Sequence, residues 1–234
     1  MLPVAILAGG LRRSRNPVTQ TIPKALVEIN GEPFLAHQLR LLRANGISRV
    51  VLCIGHLGEM IQDFLGDGSR FGIHAKYSFD GPVLLGTAGA LKNALPLLGD
   101  AFFVLYGDSY LPCRFADVQK AFETGGKPAL MTVFRNQGQW DASNVAFDNG
   151  RIIAYDKRNR TPAMRHIDYG LGVLSRTALE PIAYPCDLAA LYQDLLKRGD
   201  LASFEVTERF YEAGSFAGVQ ELAAFLRQHK GEGA

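Results

Sequence analysis

Four groups of residues in this chain have types and spacing suited to work on phosphates. The first is "LAGGLRRSRNPVTQTIPK", residues 7–24, which begins as a short apolar run ends. Leu7, Ala8, Gly9 and Gly10 make a turn with a bare backbone, so N–H groups can converge on phosphate oxygens without side chains in the way. Arg12, Arg13, Arg15 and Lys24 add four positive charges, and Pro23 stiffens the chain before Lys24. The second group is Gly86, Thr87, Ala88 and Gly89. These small residues open a helix, where a flat base can approach the backbone and the helix N-terminus attracts negative charge. The third is a pair of carboxylates at strand ends, Asp108 in "VLYGD" and Glu212 in "RFYEAGS". Brought together, they suit Mg2+, which takes one or two carboxylates plus substrate phosphates. The fourth is Lys157 in "AYDKR", a cation for a second phosphate. Taken singly, the glycine turn fits a ligand-free strand–loop turn equally well, and the helix start, the acids and the lysines are more often structural.

Other chemistries find little support. There is no G-x-G-x-x-G fingerprint, Walker A motif or G-x-S-x-G elbow. His37, His56, His74, His166 and His229 lack metal-ligand spacing. Cys53, Cys113 and Cys186 are odd in number and far apart, which argues against zinc or a disulfide framework and for reduced thiols. A net charge of only +2 does not call for nucleic acid or an anionic membrane as partner. No apolar run approaches a membrane span in length, so the expected location is the cytoplasm.

The elements that must position these groups are visible as periodicity. Strand-like runs "PVAILAG", "RVVLCIG", "IHAKYSF" and "AFFVLYGD" alternate with helical patterns "PFLAHQLRLLRANG", "LGEMIQDFLGDG" and "GTAGALKNALPLLG". Near-continuous apolar strands separated by helices indicate a parallel sheet covered on both faces. Ligands of such sheets bind beyond the carboxyl ends of the strands, where "AGG" and "YGD" fall. The second half changes rhythm. "PALMTVFRN", "SNVAFDNG", "RIIAYDK" and "IDYGLGVLS" are strands, with Asn149-Gly150 a hairpin turn. "DLAALYQDLLKRGD" is helical, "LASFEVTERFYEAGS" strand-rich, and "FAGVQELAAFLRQHK" a closing amphipathic helix. The expected fold is α/β, with a Rossmann-like mixed, mainly parallel sheet flanked by helices and a more antiparallel second half.

In this order the motifs resemble those of the sugar-1-phosphate nucleotidyltransferases. The family opening has the form L-A-G-G-x-G-T-R-L-x-P-x-T followed by P-K, and appears here as "LAGG" (7–10), "PVT" (17–19) and "PK" (23–24). "LGDGSRFG" (65–72), "LGTAGAL" (85–91), "YGD" (106–108), "YDK" (155–157) and "FYEAGS" (210–215) match further family blocks. The chain is similar in length to the short members, such as mannose- or heptose-1-phosphate guanylyltransferases and N-acetylmuramate-1-phosphate uridylyltransferases. The resemblance implies one nucleotidyltransferase domain over residues 1–230. Residues 1–110 or so would be its nucleotide-binding half, residues 111–230 its sugar-phosphate-binding half, and 231–234 a polar tail. The implied reaction joins an NTP to a sugar 1-phosphate, releasing pyrophosphate, with a lean to GTP and a mannose- or heptose-type acceptor. It also implies that Asp108 and Glu212 hold Mg2+ and that Lys24 contacts the NTP and the attacking phosphate. Leu7 to Gly10 and residues 86–89 would face the nucleotide, and Lys157, Asn144, Asp168 and Gly170 the sugar phosphate. Oligomeric state is left open, a homo-oligomer being compatible.

The family pattern is broken at one place. Where members have G/A-T-R-L-x-P, this chain reads "RRSRNP", which puts Ser14 at the arginine and Arg12 at a normally small position. Losing one well-placed cation can cost on the order of 10²–10³ in rate, unless Arg13 or Arg15 takes its place. Two other readings follow: a non-catalytic homologue that binds nucleotide or NDP-sugar, or a cytidylyltransferase for a small phosphorylated alcohol or phosphonate.

Overall fold

Val4, Ala5 and Ile6 are wholly buried, as a central strand covered on both faces requires. The computed structural model describes residues 1–9, 21–83 and 85–229. Gly10, Arg12, Arg13, Ser14 and Arg15 lie outside the described residues.

The chain runs through β1 (Val4–Leu7), a hairpin of β2 (Glu28–Ile29) and β3 (Glu32–Pro33), α1 (Phe34–Ala44) and β4 (Arg49–Ile54). It continues with α2 (Gly58–Leu65), β5 (His74–Phe79), α3 (Thr87–Leu98), β6 (Ala101–Tyr106), β7 (Ser109–Tyr110) and α4 (Phe115–Gly125). Then follow β8 (Ala129–Phe134), β9 (Val145–Asp148), β10 (Arg151–Tyr155), β11 (Ile167–Ser175) and α5 (Arg176–Leu179). The last elements are α6 (Leu188–Arg198), β12 (Leu201–Val206), β13 (Tyr211–Glu212) and α7 (Phe216–Gln228). The helix α4 is an addition to the sequence reading, although Phe115, Val118 and Phe122 already carry a helical period.

Seven strands form one sheet in the order β12-β8-β11-β6-β1-β4-β5. Only β11 runs against its neighbours, antiparallel to both β6 and β8, while β12 pairs with β8 in parallel. The antiparallel character of the second half therefore comes from β11, the β9–β10 hairpin and the β7–β13 pair. Reversal of β11 places its first residues, Asp168 among them, at the edge where the parallel strands end.

Side chains alternate across the sheet. In β6, Phe103 and Leu105 enter a core with Leu35, Leu39 and Leu42 of α1 and Phe115 of α4. Phe102 and Val104 enter the opposite core, with Leu91 of α3 and Leu191 of α6. This period of two is why helices are needed on both faces. A smaller cluster joins Leu222 of α7 to Phe34, Tyr110 and Ala213, and so packs α7 beside β7 and β13. The hairpin between β9 and β10 has Asn149 at φ 47° and Gly150 at φ 75°, as a turn with two positive φ values demands. It returns the chain to deliver Tyr155 and Lys157 to the same sheet edge.

Candidate active site

Asp108 leaves β6 through Gly107, whose N–H donates to the Leu7 carbonyl at 2.9 Å. A β-carbon at position 107 would stand 2.9 Å from the Ala8 methyl, so only glycine lets β1 and β6 end this close together. The Asp108 carbonyl accepts from Ala213 N–H at 2.8 Å, and Ser109 lies opposite Glu212 in the β7–β13 ladder. The two carboxylates, distant in sequence, become neighbours through this ladder. Lys24, in a 3-10 turn directly after Pro23, donates to Asp108 Oδ2 at 2.9 Å. A β-carbon at Gly214 would lie 2.8 Å from Glu212 Oε2, 3.1 Å from Lys24 Nζ and 3.4 Å from Asp108 Oδ2, so all three groups surround one point. Side-chain exposures of 41% for Lys24 and 30% for Asp108 make this an accessible ion pair. Such pairs stabilise a fold by no more than about 1 kcal/mol, little enough to be exchanged for a ligand.

Glu212 also shapes the turn into α7. Its carboxylate accepts from the N–H groups of Gly214 and Ser215 and from the Ser215 hydroxyl, and Ser215 Oγ in turn caps α7 by accepting from Gly218 N–H at 3.0 Å. A β-carbon at Gly218 would overlap the Glu212 carboxylate. Gly218→Ala is accordingly expected to displace Glu212 and to lower nucleotidyl-transfer activity more than thermal stability, in paired activity and melting measurements. Among the described residues no cluster of three or more His, Cys, Asp or Glu side chains is arranged for a metal ion. Two hard carboxylates around one point do fit Mg2+, with waters or substrate phosphates completing its shell.

A second charged pair lies beside the first. Lys157 Nζ is 3.1 Å from Asp168 Oδ2, and the Asp168 side chain is only 4% exposed. Tyr155 donates its hydroxyl to the same oxygen at 3.2 Å, Gly170 N–H reaches Oδ1 at 3.1 Å, and Asn144 Oδ1 accepts from Asp168 N–H at 2.9 Å. Gly170 adopts φ +97° where the β11–β8 register shifts, which lets the chain fold back onto Asp168. The Lys157 ammonium also lies over the Tyr106 ring, 5.4 Å from its centroid, only two residues before Asp108. Burial works against the charged ammonium, but Asp168 and Tyr106 outweigh it and raise its pKa above the usual lysine value. Burial likewise pushes the Tyr106 hydroxyl up to about 12. Lys157 is thus a fixed positive charge at neutral pH, and Asp168 is the group that holds it.

That arrangement makes a testable asymmetry. Removing Lys157 alone leaves Asp168 buried and unpaired, whereas removing both charges does not. Lys157→Ala is expected to destabilise by about 1–3 kcal/mol, discounted for the partial exposure of the lysine. Lys157→Ala combined with Asp168→Asn should recover much of that loss in urea unfolding. Simple additivity of the two changes would rule out the coupling.

The glycine turns occupy the other side of the same edge. Ala8 N–H donates to the Cys53 carbonyl at 2.9 Å, which ties the end of β1 to β4. A β-carbon on Gly9 would stand 2.9 Å from Gly55 N and 3.1 Å from Asp80 Oδ2, so Gly9, Gly55 and Asp80 meet. Asp80 follows β5, and its Oδ1 is buried without a hydrogen-bond partner among the described residues. Burial raises its pKa. Residues 86–89 are placed differently from the sequence expectation of an open helix start. The Cys186 carbonyl accepts from Ala88 N–H at 2.9 Å and Gly89 N–H at 3.1 Å, and Thr87 Oγ1 accepts from Leu188 N–H at 2.7 Å. Gly86 adopts φ +73°, and a β-carbon there would overlap the Cys186 carbonyl. In this conformation the first N–H groups of α3 serve the segment between α5 and α6. Gly86→Ala is therefore expected to lower the melting temperature by several degrees, through both strain and overlap.

Asp80 and Tyr155 are absent from the sequence-based set. Asp80 carries the same signal as Asp108, an acid directly after a strand. Tyr155 carries none, because a tyrosine in a strand reads as core. All three cysteines are free, and burial pushes the thiols of Cys53 and Cys113 up to about 12, which leaves both inert as nucleophiles. Among the described residues no helix is long and apolar enough to cross a membrane.

Comparison with known proteins gives the family of the chain. The family model described as "Nucleotidyl transferase" matches residues 4–143. A UTP–glucose-1-phosphate uridylyltransferase of Synechocystis is 32% identical over 167 residues, which cover 65% of this chain and 43% of that protein. The N-acetylmuramate alpha-1-phosphate uridylyltransferase of Neisseria meningitidis is 40% identical over 120 residues, 51% of each chain. The chain thus spans about half the length of the curated relatives it matches. Among solved structures, HddC from Yersinia pseudotuberculosis complexed with GMP-PN superposes with a TM-score of 0.80 at 22% identity, over 97% of this chain and 100% of that one. With Leu7 to Gly9, "LGTAGAL" and "YGD" gathered at one sheet edge and a family model matched across them, the chain belongs to the nucleotidyl transferase family.

Proposed function

We propose that the protein transfers a nucleotidyl group from an NTP to a sugar 1-phosphate, releasing pyrophosphate, with GTP and a mannose- or heptose-type 1-phosphate as the preferred pair. The observation that carries this reading is the adjacency of two cationic sites at one sheet edge, Lys24 beside Asp108 and Glu212, and Lys157 held on Asp168. Two substrates that each bear phosphate need two such sites. An acceptor phosphate oxygen attacks the α-phosphorus, a new P–O bond forms, and the bond to the departing pyrophosphate breaks. The acceptor is already an anion, so no side chain has to remove a proton. Positioning and charge supply the catalysis. Lys24 would contact the NTP and the attacking oxygen, and Lys157 would hold the acceptor phosphate. Mg2+ on Asp108 and Glu212 would neutralise phosphate oxygens.

The preference for guanine rests on Asp80. Asp80 Oδ1 has no hydrogen-bond partner among the described residues, and its carboxylate, turned toward a ligand, would suit a base edge with two adjacent N–H donors, which only guanine has, through N1–H and the N2 amino group. The guanine nucleotide analogue in the Yersinia structure supports the same reading. The test is pyrophosphate release with Mg2+, each of GTP, UTP, CTP, ATP and dTTP, and a panel of hexose and heptose 1-phosphates. Release that requires one NTP and one sugar phosphate establishes the activity. Nucleotide binding without release for any acceptor would favour a non-catalytic homologue, with Ser14 as the first residue to restore to arginine. Release only with CTP and small phosphorylated alcohols would move the assignment to that class.

A further inference from the structure

We propose that Gln38 is a positioning residue that sets the separation of the Asp108 and Glu212 carboxylates and, through it, the affinity of the site for a divalent cation. The proposal rests on the reading of those two carboxylates given above. Gln38 lies on the inner face of α1, is wholly buried, and is the one polar residue among that helix's buried positions. Its neighbours on that face, Leu35, Leu39 and Leu42, belong to the apolar core.

A single amide here does two things. Gln38 Nε2 donates to the Tyr106 carbonyl at 3.0 Å and to the Ser109 carbonyl at 2.8 Å. Those carbonyls bracket Gly107 and Asp108, so both ends of the turn that presents Asp108 are tied to one rigid helix. The hold extends further. Ser109 is the residue opposite Glu212, and Asp108 itself accepts from Ala213 N–H through its carbonyl. Shifting residues 106–109 therefore shifts both carboxylates relative to each other and to Lys24.

The cost of this arrangement is visible. Among the described residues Gln38 Oε1 is buried without a hydrogen-bond partner. Turning the amide over would set that oxygen against two carbonyl oxygens, so the hydrogen-bond network fixes the orientation. An unmet acceptor in a core is unfavourable, and an unbranched methionine of similar length fills the same space without it. Packing alone thus disfavours glutamine at this position. What glutamine adds is the bracket around Asp108. Groups that orient metal ligands from behind commonly change metal affinity 10- to 100-fold when removed.

The experiment is a titration of Mn2+ alone into the wild-type protein, Gln38→Met and Asp108→Asn, following the free ion by electron paramagnetic resonance, with melting curves for each. Gln38→Met is expected to bind Mn2+ roughly tenfold more weakly or worse, while melting near the wild-type temperature. The Mg2+ concentration that half-saturates pyrophosphate release should rise by the same factor, with KM for the sugar 1-phosphate unchanged. Wild-type Mn2+ affinity in Gln38→Met overturns the proposal, whatever the melting temperature. If Gln38→Met does not fold, Gln38→Asn, which draws the amide back by one methylene, is read by the same criterion. Should the wild type bind Mn2+ no better than Asp108→Asn, the carboxylates are not the cation site and the proposal falls with that reading. Weakening by Asp108→Asn but not by Gln38→Met removes the proposal alone.

Discussion

Asp108→Asn is expected to abolish metal-dependent pyrophosphate release, by about 10³-fold or more, with little change in fold or melting temperature. The argument is local. Asp108 Oδ2 accepts from Lys24 and faces the point shared with Glu212, so the substitution removes half of the proposed cation site and one charge of the ion pair. Removal of a single preorganised electrostatic partner already costs on the order of 10²–10³ in rate. Here the lost carboxylate pairs with Lys24 and would also be one of the two carboxylates of the proposed cation site. The fold should survive because, apart from the Lys24 pair, residues 107 and 108 are held at long range by backbone bonds, Gly107 N–H to Leu7 and Asp108 C=O to Ala213 N–H, and asparagine keeps them. The pair with Lys24 is too exposed to support much stability. Full turnover in Asp108→Asn would remove the residue from the reaction.

Asp80→Asn should change which base is bound. A carboxylate matches guanine's two adjacent donors, whereas an amide offers one donor and one acceptor and matches xanthine, whose C2 carries oxygen. Affinity for GTP is expected to fall roughly 10- to 100-fold and affinity for XTP to rise by a similar factor, the span set by one good bidentate pair. ITP, which lacks the N2 amino group, should bind wild type more weakly than GTP. These are binding measurements and do not depend on turnover. An unchanged ratio of GTP to XTP in Asp80→Asn would exclude Asp80 from base recognition and leave the proposed reaction class standing.

The same substitution carries an opposite effect on stability. Burial raises the pKa of Asp80 in the folded chain, so its ionised form opposes folding. The folded state binds this proton more tightly than the unfolded state, and stability is lost as pH rises through the raised value. Asp80→Asn should therefore melt higher than wild type at neutral pH, and the difference should shrink in acid.

Much of the fold could be read from the chain because its signals are local. Alternation in "AFFVLY" and the helical spacing in "PFLAHQLRLLRANG" express the burial demands of single elements, and Asn149-Gly150 dictates its own turn. The candidate residues were legible for a related reason. Glycines and acids directly after strands have few structural uses, and their order along the chain carried the family resemblance. The roles of Arg13 and Arg15 remain a sequence-level expectation.

Distances between elements belong to the tertiary structure. Asp168 reaches the active edge only because β11 is inserted antiparallel between β6 and β8, a matter of strand order that no local period encodes. Glu212 meets Asp108 through the β7–β13 pair, two residues long on each side. The helix start at residues 86–89 looks open in sequence, yet the Cys186 carbonyl covers it, because a backbone acceptor from a distant segment leaves no mark on residue type. Gln38 is the sharpest instance. On α1 it reads as one more polar residue, and only packing against the ends of β6 and β7 turns its amide toward the two carbonyls that frame Asp108. Residue chemistry and periodicity are properties of the chain, whereas the bringing together of residues remote in sequence is a property of the packed sheet.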